Sequence, residues 1–150
     1  MISIELARAL RTAGLRWHPR SQDGFVVESA EGDGEVYTVS EMTVDVHEYP
    51  TGTLIGFNGT TEWALDSVAL ADTLWLPRED QLRELLRDGF HSLEIDRSDD
   101  PPRFLVTATV RGTRRVYEAE TAADAYGEAL LDLIVQSLVA EPGSDVGPPE

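Results

Sequence analysis

Phe104-Leu105-Val106-Thr107-Ala108-Thr109-Val110, then Arg111-Gly112-Thr113-Arg114, then Arg115-Val116-Tyr117-Glu118-Ala119-Glu120 and Thr121-Ala122-Ala123-Asp124-Ala125-Tyr126 decide the class of the fold. The first and third segments are rich in β-branched and aromatic residues, as strands packed on one face are. Arg111-Gly112-Thr113-Arg114 reads as the hairpin connection between them. At Thr121 the period changes. Thr121 with Asp124 three residues on is close to a capping box. Ala122, Ala125, Tyr126, Ala129, Leu130, Leu133, Ile134 and Leu138 then recur at helical spacing, predicting one long helix with these residues inward. Glu141-Pro142-Gly143 is expected to stop it, leaving 141–150 as a disordered tail.

Upstream, Phe90 to Arg97 reads as a strand and Ser98 to Pro102 as a turn. A helix is predicted before them. Leu74-Trp75-Leu76 enter it, Pro77 suits its first turn, Leu82, Leu85 and Leu86 form its stripe, and Gly89 closes it. Glu79 and Arg83 sit at pairing distance along it. From Phe25 to Val68 the period is two, with strands at 25–27, 35–39, 42–49, 54–57 and 61–68. Asn58-Gly59 predicts a two-residue type I′ turn between the last two. The chain opens on a helix capped by Ser3, striped by Leu6, Ala7, Leu10 and Ala13, and closed by Gly14. The expected fold is α+β: an antiparallel sheet of meander and hairpins with about three helices packed on it. It is predicted as a single domain over 1–140, with sub-units 1–89 and 90–140.

Composition narrows the chemistry. All 12 basic residues among the 150 are arginine, and cysteine is absent. Schiff-base, pyridoxal-phosphate and P-loop lysine chemistry are therefore excluded, as are thiol nucleophiles, disulfides and thiolate metal sites. The formal charge of −16 is spread evenly: residues 1–75 hold 4 Arg against 12 acids, and residues 76–150 hold 8 Arg against 16. An evenly negative surface disfavours nucleic acid and anionic membranes and suits a basic protein. Met1-Ile2-Ser3-Ile4-Glu5 places an acid where a signal peptide needs basic residues, so a cytoplasmic location is expected.

Three constellations carry candidate function. On the predicted strand 42–49, Asp45 and His47 share a face with Thr43, as an acid–base pair or as two metal ligands with Asp66 or Glu62 near. The same face is equally the solvated side of an antiparallel sheet. Trp63, flanked by Glu62 and Asp66, and Trp75 are each either a core anchor or the centre of an acid-rimmed protein interface. No serine-hydrolase elbow and no cofactor-binding motif is present, and no cofactor or metal is assigned.

Arg115-Val116-Tyr117-Glu118-Ala119-Glu120-Thr121-Ala122-Ala123-Asp124-Ala125-Tyr126 with Ala129-Leu130-Leu131 resembles the closing strand and helix of small phage-type α-β-α sandwich domains. Ile55-Gly56-Phe57-Asn58-Gly59-Thr60-Thr61-Glu62-Trp63-Ala64-Leu65-Asp66-Ser67 and Trp75-Leu76-Pro77-Arg78-Glu79-Asp80-Gln81-Leu82-Arg83-Glu84-Leu85-Leu86, with Trp17 and Ser40-Glu41-Met42-Thr43-Val44, resemble a family of small uncharacterised bacterial proteins. Its members sometimes carry a pilus-assembly label. That label evokes ParA-like ATPases, but the chain has neither their phosphate-loop lysine nor a Gly-rich strand-to-helix turn, so no ATPase residue carries over. The resemblance implies at most an accessory role beside a pilus or secretion system.

The expected activity is non-enzymatic: a cytoplasmic protein-binding or adaptor domain whose partner is another protein or, as a homodimer, itself. The alternatives are an acidic immunity-like or antitoxin-like neutraliser of a basic protein, a small hydrolase or metal-binding enzyme using Asp45 and His47, and the pilus-associated accessory role.

Overall fold

The computed structural model describes residues 1–28, 35–39, 44–49, 52–57, 67–69 and 72–146, with the backbone alone for the strands between 44 and 69 and for 140–146. The fold is α+β, with every described strand pair antiparallel and three α-helices. Among the described residues the strands form three three-stranded antiparallel sheets. The chain divides into two compact units, one of Met1–Leu15 with Arg78–Glu150 and the other Arg16–Pro77. The division thus follows neither 1–89 nor 90–140. The first helix packs on the last, so the N-terminal segment joins the C-terminal unit.

That discontinuous unit is built on α3 (Ala122–Val146). Beneath it lie β7 (Phe90–Asp96), β8 (Arg103–Val110) and β9 (Thr113–Ala119), in the order β7-β8-β9. Val106, Ala108 and Val110 of β8 are buried, as are Ala122, Ala125, Tyr126, Ala129 and Leu130 of α3. Small alanines let the helix sit close to the sheet. The hairpin is tighter than Arg111–Arg114: Val110 pairs with Thr113, and Arg111 (φ 54°) and Gly112 (φ 81°) form the two-residue turn. Positive φ at both turn positions matches the right-handed twist of the strands.

Two further helices lean on α3. In α1 (Ile4–Ala13), Ser3 accepts a hydrogen bond from the Leu6 amide, and Gly14 ends the helix at φ 120°. The Ser3 amide donates to Asp124 Oδ1 at 2.8 Å, and the Asp124 amide donates to Thr121 Oγ1 at 3.1 Å. The N-termini of α1 and α3 are thereby tied together. A Cβ on Gly127 would lie 2.6 Å from Leu6 Cδ2, so a larger residue there would have to push the Leu6 side chain aside. In α2 (Glu79–Leu86), Gln81 accepts from the Arg78 amide at 2.9 Å. Pro77 therefore precedes the helix and does not fill its first turn. Arg83 reaches across to α3, with its guanidinium 5.9 Å from the Tyr126 ring centre. Phe90 packs on the other part of that ring, with centroids 5.5 Å apart.

The second unit contains β1 (Gly24–Val27), β2 (Val36–Thr38) and β6 (Thr73–Leu76) in the order β2-β1-β6. Leu74-Trp75-Leu76, expected to open a helix, instead form a strand. Pro77 prevents Leu76 from turning helical easily, and β1 offers partners for all three residues. The other sheet joins β3 (Val44–Tyr49), β4 (Gly52–Phe57) and β5 (Ser67–Ala69). Tyr49 pairs with Gly52, and Gly56 with Ser67. The expected Asn58-Gly59 turn and most of the strand 61–68 lie outside the described residues.

Two substitutions test the tight places in the first unit. A Cβ on Gly89 would stand 2.7 Å from the Thr109 carbonyl oxygen, a backbone atom with little room to yield. Gly89→Ala is expected to destabilise by about 1–3 kcal/mol in urea unfolding. Arg111→Asn, which relieves the left-handed turn residue, is expected to stabilise by roughly 0.5–1 kcal/mol.

Candidate functional site

Among the described residues, the C-terminal half of α3 carries exposed apolar side chains on its outward side. At 3.6 residues per turn, Leu131, Val135, Leu138 and Val139 fall within an arc of roughly 100°, opposite Tyr126, Ala129, Leu130 and Leu133. Val135 is 39% exposed, Leu138 53% and Val139 67%. Leu138 was expected on the inner face. It lies a third of a turn off that face, where α3 also outruns its support. The 25 residues of α3 span roughly 37 Å, against roughly 27 Å for the eight of β8. A helix covering a sheet is ordinarily polar on its outer side, whereas the C-terminal half of this one carries apolar residues there too. The helix also continues through Glu141-Pro142-Gly143 to Val146, so residues 141–146 are helical rather than a disordered tail. Pro142, four residues from the end of this helix, has no N–H to offer the Leu138 carbonyl.

Acidic groups border this stripe. Asp132 is one turn below Gln136, which donates to its Oδ1 at 3.3 Å. Its Oδ2 accepts from the Tyr117 hydroxyl at 2.6 Å and from Arg115 at 3.2 Å, pinning β9 to the helix. Burial, then the hydrogen bond to the Asp132 carboxylate and its charge, push the Tyr117 phenol above its ordinary value. A phenol so disposed holds its proton and acts as a tether, not as a base. Glu128 is exposed on the same side, one turn further toward the N-terminus. No helix among the described residues is long and apolar enough to cross a membrane.

The sequence-predicted residues are placed as follows. Asp45 and His47 lie on β3, with Asp45 opposite Gly56 and His47 opposite Leu54. Glu62, Trp63 and Asp66 lie outside the described residues, as does Thr43. Among the described residues no group of three or more His, Cys, Asp or Glu is arranged to hold a metal. Trp75 lies in a row of aromatic residues, opposite Phe25, which is in turn opposite Tyr37. It packs against the small core of Trp17, Phe25 and Val39, where Trp17 and Phe25 centroids are 5.3 Å apart. Its indole nitrogen is the one buried side-chain N or O without a hydrogen-bond partner among the described residues. Asp23, which the sequence did not single out, anchors this core. Buried to 2% exposure, it accepts at Oδ2 from Trp17 Nε1 at 2.9 Å and from the Arg20 amide at 3.0 Å. Its amide and carbonyl also bond Arg20 and Val39.

No family model matches the chain, and comparisons with curated proteins and with solved structures find no match.

The two tryptophans should respond differently to loss of the indole N–H. Trp17→Phe leaves the buried Asp23 carboxylate short of a donor and is expected to cost about 1–3 kcal/mol beyond the loss of ring area. Trp75→Phe removes an unpartnered N–H and should cost only the ring area. Equal losses in urea unfolding would contradict the Asp23 anchor. For Tyr117 the folded value lies above the unfolded one, so its contribution is complete below about pH 10 and is lost as pH rises through the folded value. The stability gap between the wild type and Tyr117→Phe is therefore expected to hold steady from pH 7 to 9 and to narrow above pH ~10.

Proposed function

We propose that the chain is a non-enzymatic, cytoplasmic protein-binding domain that uses the outward side of α3. The observation carrying this is the apolar stripe of Val135, Leu138 and Val139, exposed on a helix whose other side already forms the core. Surface leucines and valines standing singly need no explanation, but a stripe at i, i+3 and i+4 is the pattern a groove or a second helix reads. The surroundings supply rim rather than core: Glu128 and Asp132 are polar, and Asp132 is held in place by Tyr117 and Arg115. Binding here leaves the packed side of α3 undisturbed, so association requires no unfolding.

A photo-reactive phenylalanine analogue placed at Val139, and separately at Glu94 on β7, tests the assignment in cells expressing the chain. Val139 is expected to give a discrete cross-linked protein adduct and Glu94 none. Absence of an adduct at Val139, or the same adducts at both positions, would contradict it.

A further inference from the structure

The sheet β7-β8-β9 gathers cations at the end that carries the β8–β9 turn. β7 has a bulge between Phe90 and Ser92. Bulges re-aim side chains, and the extra residue here, His91, places its Nε2 2.6 Å from Thr109 Oγ1. Thr109 lies opposite Arg114 of β9, and residues paired in this way share a face of the sheet. Arg115, the next residue, belongs to the other face, where Asp132 holds it. Arg111 forms the turn between the two strands. Arg87 opens the short turn Arg87–Gly89, whose Gly89 lies against the Thr109 carbonyl. Across residues 86–92 and 107–117 the one acid is Asp88. Acids outnumber arginines 28 to 12 in the chain, yet among the described residues Arg87, Arg111 and Arg114 have no ion-pair partner. Two of the three also occupy backbone that favours glycine, Arg87 at φ 55° and Arg111 at φ 54°. Glycine or asparagine would cost the fold less there, so stability alone does not account for a cation at either position. Strain of this kind collects where ligands are held.

We infer that this corner binds one compact tetrahedral dianion, a phosphate monoester. An arginine fork meets two phosphate oxygens at once. A carboxylate is satisfied by a single fork, whereas a phosphate has three free oxygens and two charges for several arginines to share. The extent of the patch sets the size of the ligand. Four residues along β8 from Thr109, roughly 13 Å, Leu105 stands between Glu94 on one neighbour and Glu118 on the other. An extended polyanion would run on over those acids, and a single phosphate group does not.

The probe is phenyl phosphate at about pH 8, where the monoester is doubly charged, with benzoate as the carboxylate and a short oligothymidine as the polyanion. Binding to the full chain is followed by NMR, through its backbone amides and arginine Nε–H groups. Saturable shifts are expected at Arg87, His91, Thr109, Arg111 and Arg114, with benzoate binding at least roughly fivefold more weakly. Arg114→Gln is expected to weaken phenyl phosphate by roughly fivefold or more. Arg111→Asn should weaken it similarly while raising the stability of the fold, so the loss does not come from unfolding. Arg97→Gln removes the same charge just beyond the far end of β7, and is expected to change affinity by less than about twofold. Equal losses in Arg97→Gln and Arg114→Gln would reduce the attraction to overall charge and overturn the inference. Benzoate binding as tightly as phenyl phosphate would overturn it too, as would the absence of saturable shifts at these residues. Oligothymidine binding more tightly than phenyl phosphate at equal phosphate concentration would make the ligand an extended polyanion, which also overturns it.

Discussion

The inner side of α3 rests on β8 because alanines at 122, 125 and 129 leave room for Val106, Ala108 and Val110 to reach it. Everything else in the first unit depends on that contact. Gly127 lets α1 approach on one flank, and Tyr126 offers its ring to Phe90 and to Arg83 of α2 on the other. One helix thus serves as the packing surface for a sheet and two helices. The demand is met with small residues and one glycine, at a helix-propensity cost of only about 1 kcal/mol. The hydrogen bond from Ser3 to Asp124 joins residues 121 positions apart, with the whole of the second unit between them in the sequence. The entropic cost of so long a closure grows only logarithmically with length, which a buried helix face readily offsets.

The second unit is organised differently. Its aromatic core is small, and a buried carboxylate sets its geometry. Asp23 collects the Trp17 indole and the Arg20 amide on one oxygen, and its backbone bonds Val39, so a single residue fixes the loop entering β1 and the segment leaving β2. Such a group is tolerated in the interior only while its donors remain in place.

Period and caps made much of this legible in the chain. Thr121 with Asp124, Ser3, Gly14 and the Arg111-Gly112 hairpin all act where local chemistry predicts, because each rests on residues within one turn of it. Leu74-Trp75-Leu76 misled, since a short apolar run fits a strand or a helix and only the distant β1 decides between them. The return of α1 to α3 has no local signature at all. Asp23 looked like one acid among 28, because its role depends on a tryptophan folded back over it. The outward stripe of α3 was present in the sequence, where seven of the ten residues from Leu130 to Val139 are apolar. Assigning Leu138 to the inner face concealed the second stripe. Asp45 and His47 lie on the strand that the period of two predicts, while Trp63 and its acids lie outside the described residues.

Binding on the outward side of α3 requires its apolar stripe to be open in the lone chain. The absence of cysteine makes this directly measurable. Single cysteines at Val135, Leu138, Val139 and, for comparison, the buried Leu130 can each be labelled with a thiol reagent under native conditions. Labelling at 138 and 139 is expected at close to the rate of a free peptide thiol, with 135 slower and 130 protected by orders of magnitude. Protection at 138 and 139 as strong as at 130 would mean the chain covers the stripe itself, and the binding surface proposed here would not exist.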